Sequence, residues 1–93
     1  MKFISVTNIR AGKNRTFAAT DKKPSSTVYV FDAHETDCTG SRIPCKLQTY
    51  EVLVAKHLSE YSPSVEYTVP FNDIKEYQGI DQITVSDHVL NMP

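Results

Sequence analysis

Four consecutive apolar residues in the first third of the chain constrain its fold more than any other segment. Successive side chains of a strand point to opposite faces, which places Val28 and Val30 on one face and Tyr29 and Phe31 on the other. A strand that is apolar on both faces is buried on both, as in the middle of a sheet. Residues 27–31 are therefore predicted to form a central strand.

The remaining sequence favours a sheet with one main helix. Val, Thr and Ile far outnumber Leu and Ala in the 93 residues, and branching at Cβ suits strands better than helices. Further strands are predicted at 2–9, 15–20, 65–69 and 83–85, with irregular chain at 32–45. Apolar residues spaced three and four apart predict a helix over 46–61 and a short helical segment over 71–79.

These elements predict an α+β fold: a single domain over 1–93 with a small, mainly antiparallel β-sheet of about five strands. The order is β-β-β-α-β-(short helix)-β, and one amphipathic helix lies on a face of the sheet. Its apolar side would contain Leu47, Tyr50, Val54, Leu58 and Tyr61. Because one helix covers only one face, the other face is expected either to curl into a partial barrel or to form an interaction surface.

Charge is distributed unevenly along the chain. Residues 1–31 carry six basic residues and one acid, whereas residues 32–93 carry four basic residues and ten acids. Arg10, Lys13 and Arg15 flank the turn of the first predicted hairpin. Such a basic tip is typical of phosphate binding in nucleic acids or nucleotides, although solvated turns also carry such residues. Nearby Phe3 and Phe17 are assigned to the core rather than to base stacking.

The segment after the central strand holds side chains that bind metals in other proteins. Its carboxylates, Asp32, Glu35 and Asp37, lack the ligand periodicity of a calcium-binding loop. Histidine and thiolate ligands suit zinc, but no Cys-x2-Cys pair is present. We therefore predict no metal and no cofactor. If the 32–45 loop does contribute to a metal-dependent site, the candidate ligands are His34, Cys38, Cys45 and His57.

The first residues of the chain and its two cysteines indicate the cellular compartment of the protein. The apolar N-terminal stretch is interrupted by polar residues, which is atypical of a secretory signal, and no apolar run is long enough for a membrane helix. A cytoplasmic location is expected, with no membrane partner. In a reducing compartment Cys38 and Cys45 would be free thiols, and a disulfide between them is the alternative.

No catalytic motif stands out, because neither a nucleophile elbow nor a glycine-rich phosphate loop is present. The sequence therefore favours a small intracellular, non-enzymatic module that docks onto a protein partner, of the inhibitor or adaptor type found among small phage and mobile-element proteins. The candidate partner-binding residues are Tyr29, Phe31, Asp32, His34 and Glu35. The alternatives are a nucleic-acid or nucleotide-phosphate binder using Arg10, Lys13 and Arg15, and the metal-dependent site. A homodimer remains open.

Overall fold

The structure is a computed structural model that describes residues 2–91. Within that range it contains six strands, one α-helix and a short 3₁₀ helix. The strands are β1 (Lys2–Ala11), β2 (Arg15–Phe17), β3 (Ser26–Thr36), β4 (Arg42–Thr49), β5 (Tyr67–Tyr77) and β6 (Ile80–Val85). The helix α1 spans Val52–Ser59, and the 3₁₀ helix spans Asp87–Asn91.

Five of the strands close into a barrel. The hydrogen-bonded order is β1-β5-β6-β4-β3, and β3 pairs again with β1, which joins the two edges. Strands β4 and β6 are parallel, whereas the other barrel pairs are antiparallel. The predicted α+β class with one helix is confirmed, but the sheet is mixed and closed rather than open. The helix therefore lies at one end of the barrel and not on a face of an open sheet.

Strand β3 is long enough to serve two purposes. From Tyr29 onwards it pairs with β4 as part of the barrel wall. Its first residues pair with β2, so that β2 and the start of β3 form a short two-stranded arm. The predicted hairpin of the first two strands is therefore wrong, because β2 pairs with β3 and not with β1. Tyr29 and Phe31 face the barrel interior, whereas Val28 and Val30 lie on the outer side and are still buried. The prediction that this strand is buried on both faces is confirmed.

The barrel interior is filled by aliphatic side chains from every barrel strand, among them Val6, Leu47, Val69 and Ile83. Helix α1 closes one end of the barrel with Val54, Ala55 and Leu58, and it packs against Val89 of the 3₁₀ helix. Lys56 and His57 lie in its last turn, where the helix dipole favours positive charge. No helix within residues 2–91 is both long enough and apolar enough to cross a bilayer.

Two predicted helical segments are wrong in whole or in part. Residues 46–49 belong to strand β4, and the helix is confined to Val52–Ser59. Leu47 enters the core from the strand, and Tyr50 is exposed. Residues 71–77 are not helical but continue β5, which turns into β6. The segment 32–45, predicted to be irregular, contributes mainly to β3 and β4.

Candidate functional site

A groove runs along the outer face of β3, β4 and β6. It consists of two adjoining hollows of about 370 and about 430 Å³, and Lys46 and Ile80 line both. Register places Val30 beside Gln48, and Asp32 beside Lys46, on the same side of the β3–β4 pair. Residues paired in this way project from one face of the wall. The floor of the groove is therefore the outer surface of the barrel.

The β1–β2 loop forms one wall of the groove because it is fastened to the middle of β3. The backbone N–H of Gly12 donates to the carbonyl oxygen of Val30 at 2.8 Å. The N–H of Val30 donates in turn to Oδ1 of Asn14 at 3.0 Å. These two bonds fix the residue between them, so that Lys13 lines the groove together with Arg15 of β2.

A bulge in β1 brings a fourth cation, Arg10, to the groove. The pairing of β1 with β3 shifts register between Thr7 and Arg10, and Asn8 within that bulge has a positive φ of 59°. Asparagine tolerates this conformation better than most residues. Beyond the bulge Arg10 pairs with Asp32, and both residues line the groove.

The opposite rim is formed by the turn between β5 and β6. Gln78 and Gly79 both have positive φ, 53° and 79°, as the two-residue turns of tight hairpins require. The turn places Tyr77 at the rim with 60% of its surface exposed. An exposed ring beside a groove offers a flat apolar surface to a planar ligand.

The groove is strongly basic. Four cations line it, Arg10, Lys13, Arg15 and Lys46, against a single carboxylate, Asp32. Lys46 Nζ lies 3.4 Å from Asp32 Oδ1, and both side chains are substantially exposed. The excess positive charge favours a polyanionic ligand, although the chain as a whole has a net charge of −1.

A titratable residue, Glu35, lies behind the groove, on the interior side of β3. Glu35 pairs with Ile43 and follows Phe31 and Ala33 on the inward side of the strand. Burial raises its pKa to about 7, helped by a hydrogen bond with Asp81 and by the negative charges of Asp81 and Asp37. Glu35 therefore holds a proton near neutrality, unlike an exposed carboxyl.

The five residues predicted to bind a partner do not share one surface. Asp32 and His34 lie in the groove, whereas Phe31 is buried in the core, and Tyr29 packs against it. Glu35 is half-buried on the same inward side. His34 Nδ1 is buried without a hydrogen-bond partner in residues 2–91. The phosphate-binding candidates Arg10, Lys13 and Arg15, in contrast, all line the groove.

Within residues 2–91 the four candidate metal ligands do not come together as one set, although His34 and Cys45 line the same hollow of the groove. Cys38 is exposed beside β3, and Cys45 is buried in the barrel, where burial raises its pKa to about 12. His57 lies on α1, and its Nε2 is 3.1 Å from the Tyr61 hydroxyl oxygen. Among the described residues no three His, Cys, Asp or Glu side chains group as metal ligands. Both cysteines are free thiols in this structure.

Lys46, Tyr77 and Gln82 line the groove but were not predicted to be site residues. Lys46 and Tyr77 fell within predicted helices, which hid their position on strands. The Tyr-Gln-Gly-Ile sequence at 77–80 is the one local signal of a hairpin turn that could have revealed Tyr77. Phe3 and Phe17, assigned to the core, are both half-exposed.

No protein-family model matches the chain, and neither the curated proteins nor the solved structures contain a significant match. What indicates a ligand is therefore the groove itself. Its cations come from separate elements, β1, the β1–β2 loop, β2 and β4, and its aromatic rim comes from β5.

Proposed function

We propose that this protein binds single-stranded nucleic acid in the groove on the outer face of β3, β4 and β6. The observation that carries the proposal is the convergence of four cations from separate elements on one groove with an exposed aromatic rim. Proteins that bind single strands combine a basic groove for the phosphates with aromatic rings on which bases stack.

A single strand fits this groove better than a duplex does. The bases of a duplex are stacked and paired, so a protein reaches them by inserting a helix or a ribbon into a DNA groove. Here the residues able to contact bases, Tyr77 and Gln82, lie on the surface of a concave wall. Unpaired bases can turn towards such a wall while the phosphates face the cations.

The connectivity of the barrel supports the same proposal by analogy. OB-folds are five-stranded Greek-key barrels that bind oligonucleotides or oligosaccharides on their second and third strands and on the loops after the first and fourth. In this barrel the matching strands are β3 and β4, and the matching connections contribute Lys13 and Arg15 (after β1) and Gln78 (between β5 and β6) to the groove. Fold alone does not assign function, but three of the four groove cations, Lys13, Arg15 and Lys46, occupy these same parts and favour an oligonucleotide over a neutral sugar.

The proposal is tested by fluorescence anisotropy with a labelled oligonucleotide and the double variant Lys13→Ala/Arg15→Ala. Each lost phosphate contact lowers the slope of log affinity against log salt by about 0.7 for a single strand. The double variant should therefore bind more than about tenfold more weakly at low salt and show a flatter slope. Unchanged binding, or tighter binding to a duplex of the same sequence, would contradict the proposal.

A matched control separates groove contacts from net charge. Lys22 and Lys23 lie in the loop after β2 and do not line either hollow of the groove. The variant Lys22→Ala/Lys23→Ala loses the same charge and should retain most of the affinity. Equal losses in both double variants would show that binding depends on overall charge and not on the groove.

Docking onto a protein, which the sequence favoured, is retained as a second candidate at a different place. Tyr50, Val52 and Leu53, at the start of α1, are 60%, 61% and 64% exposed, and contiguous exposed apolar residues often mark protein contacts. A second copy of the chain is the partner that purified protein can test. Sedimentation equilibrium should show self-association that Val52→Ser/Leu53→Ser removes, and a monomer at high concentration would exclude this form of docking.

A further inference from the structure

Asp32 is the one acidic residue lining a groove that otherwise carries only positive charge. We propose that Asp32 reads the pairing edge of an unpaired base and selects bases that carry an amino group (cytosine, adenine or guanine) over thymine and uracil. The inference rests on the proposed binding of single strands and adds a specificity-determining residue to it.

The carboxylate is held in a defined position. In register across three strands Asp32 lies between Arg10 of β1 and Lys46 of β4. Lys46 Nζ is 3.4 Å from Oδ1. The other oxygen, Oδ2, faces Gly12, 3.4 Å from where a Cβ on that residue would lie. The side chain is nevertheless 58% exposed, so lone pairs remain available to a ligand in the groove.

The neighbouring cations stabilise a carboxylate at this position, but they do not explain what that carboxylate does in a groove that binds phosphates. A carboxylate repels phosphate and lowers affinity for the backbone of any nucleic acid. In the groove it can act only as a hydrogen-bond acceptor, and the donors of a nucleic acid lie on its bases and sugars. The phosphates would therefore follow the cations on the loop wall, and the bases would face Asp32 on the floor.

The chemistry of the bases then sets the preference. Cytosine offers the amino group at N4, to which Asp and Glu side chains are suited, and adenine and guanine also carry amino groups. Thymine and uracil offer only N3–H, which lies between two carbonyl oxygens that a carboxylate repels. These edges are free only in unpaired strands.

The sharpest comparison is cytosine against uracil, because the two bases differ only at position 4 and in the protonation of N3. Two labelled oligodeoxythymidylates of about nine nucleotides, a length within the known range of site sizes, would carry either dC or dU at the central positions. Wild-type protein should bind the dC oligonucleotide about fivefold or more tightly, in keeping with the discrimination of specific base contacts.

Asp32→Asn provides the test of mechanism, since an amide can donate as well as accept and also reaches uracil. The ratio of dC to dU affinity should fall to about one or invert, while affinity for both oligonucleotides rises with the loss of a negative charge. Asp73→Asn, an exposed residue of β5 outside the groove, removes the same charge and should keep the wild-type ratio. Circular dichroism verifies that both variants fold.

The outcomes separate this inference from the function on which it rests. Equal affinity of wild-type protein for the dC and dU oligonucleotides, with binding otherwise strong, would overturn the role of Asp32 and leave single-strand binding intact. A dC preference that persists in Asp32→Asn would also overturn it. Absence of binding to either oligonucleotide at low salt would remove the proposed function itself.

Discussion

Gly12 has no room for a side chain, and this one position fixes the wall of the groove. A Cβ there would lie 2.9 Å from the carbonyl oxygen of Val30, closer than packed atoms tolerate. The sequence indicated a turn at Gly12 and Asn14, because both tolerate positive φ. In the structure neither has positive φ. Gly12 is needed because its backbone lies close to that of Val30, and Asn14 is needed because its Oδ1 accepts a hydrogen bond from the Val30 N–H. Neither contact can be predicted from the local sequence.

Glu35 makes stability depend on pH. In the unfolded chain its carboxyl has the ordinary pKa of 4.5, whereas the folded protein raises the pKa to about 7. Between these values the unfolded state has released the proton and the folded state still holds it. The contribution of Glu35 to the free energy of unfolding is thus fully present below about pH 4.5 and is lost as pH rises to about 7.

Glu35→Gln should therefore flatten the fall in stability between about pH 4.5 and about pH 7, because an amide does not titrate. The measurement is the urea midpoint at several pH values in that window. Glu60→Gln, at an exposed position after α1, removes the same charge and should leave the pH dependence as in the wild type. A wild-type midpoint that rises with pH across the window would contradict the assignment.

Elements whose apolar residues fit a single periodicity were predicted correctly. Elements whose apolar residues fit both the strand and the helix periodicity were not. Strand β3 contains four consecutive apolar residues, Val28 to Phe31, whose side chains alternate between its two faces. The spacing of apolar residues in a helix of that length does not explain such a run. Residues 45–58 instead change from one period to the other. Cys45, Leu47 and Thr49 alternate as a strand, and Val54 and Leu58 repeat as a helix. Leu47 and Val54 lie seven residues apart, which is two turns of a helix, so the sequence is compatible with one helix through both. The pairing of β4 with β3 and β6 places Leu47 on a strand instead.

The β5–β6 turn offers a test at the level of the hairpin. Gln78 has a φ of 53°, a conformation that costs most non-glycine residues about 1 kcal/mol but asparagine less. Asn-Gly is the favoured pair for such a turn. Gln78→Asn should raise the free energy of unfolding by roughly 0.5–1 kcal/mol, measured by urea denaturation. Lower stability in this variant would show that the Gln78 side chain stabilises the turn in a way its backbone angle does not reveal.

For the molecule as a whole, part of the candidate site could be predicted from neighbouring residues in the sequence, and the rest depends on the topology of the barrel. Arg10, Lys13 and Arg15 are close in the chain, so their proximity could be predicted. Lys46 joins them because β4 pairs with β3, and Tyr77 joins them because β4 pairs with β6 in parallel and β6 pairs with β5. Parallel pairing between strands distant in sequence leaves no local pattern, and the groove could not be inferred without it.

Closure of the barrel has a consequence for how the chain acquires its structure during synthesis. Residues 2–6 of β1 pair with residues 67–71 of β5, so β1, which is made before the other barrel strands, cannot complete its pairing until β5 has been made. Until β5 has left the ribosome, β1 lacks one of its two neighbours, and its free edge can pair with other chains. Such non-local pairing also slows folding. We therefore expect the barrel to form only after β5 and β6 have left the ribosome, and until then the nascent chain would depend on chaperones or on its own solubility.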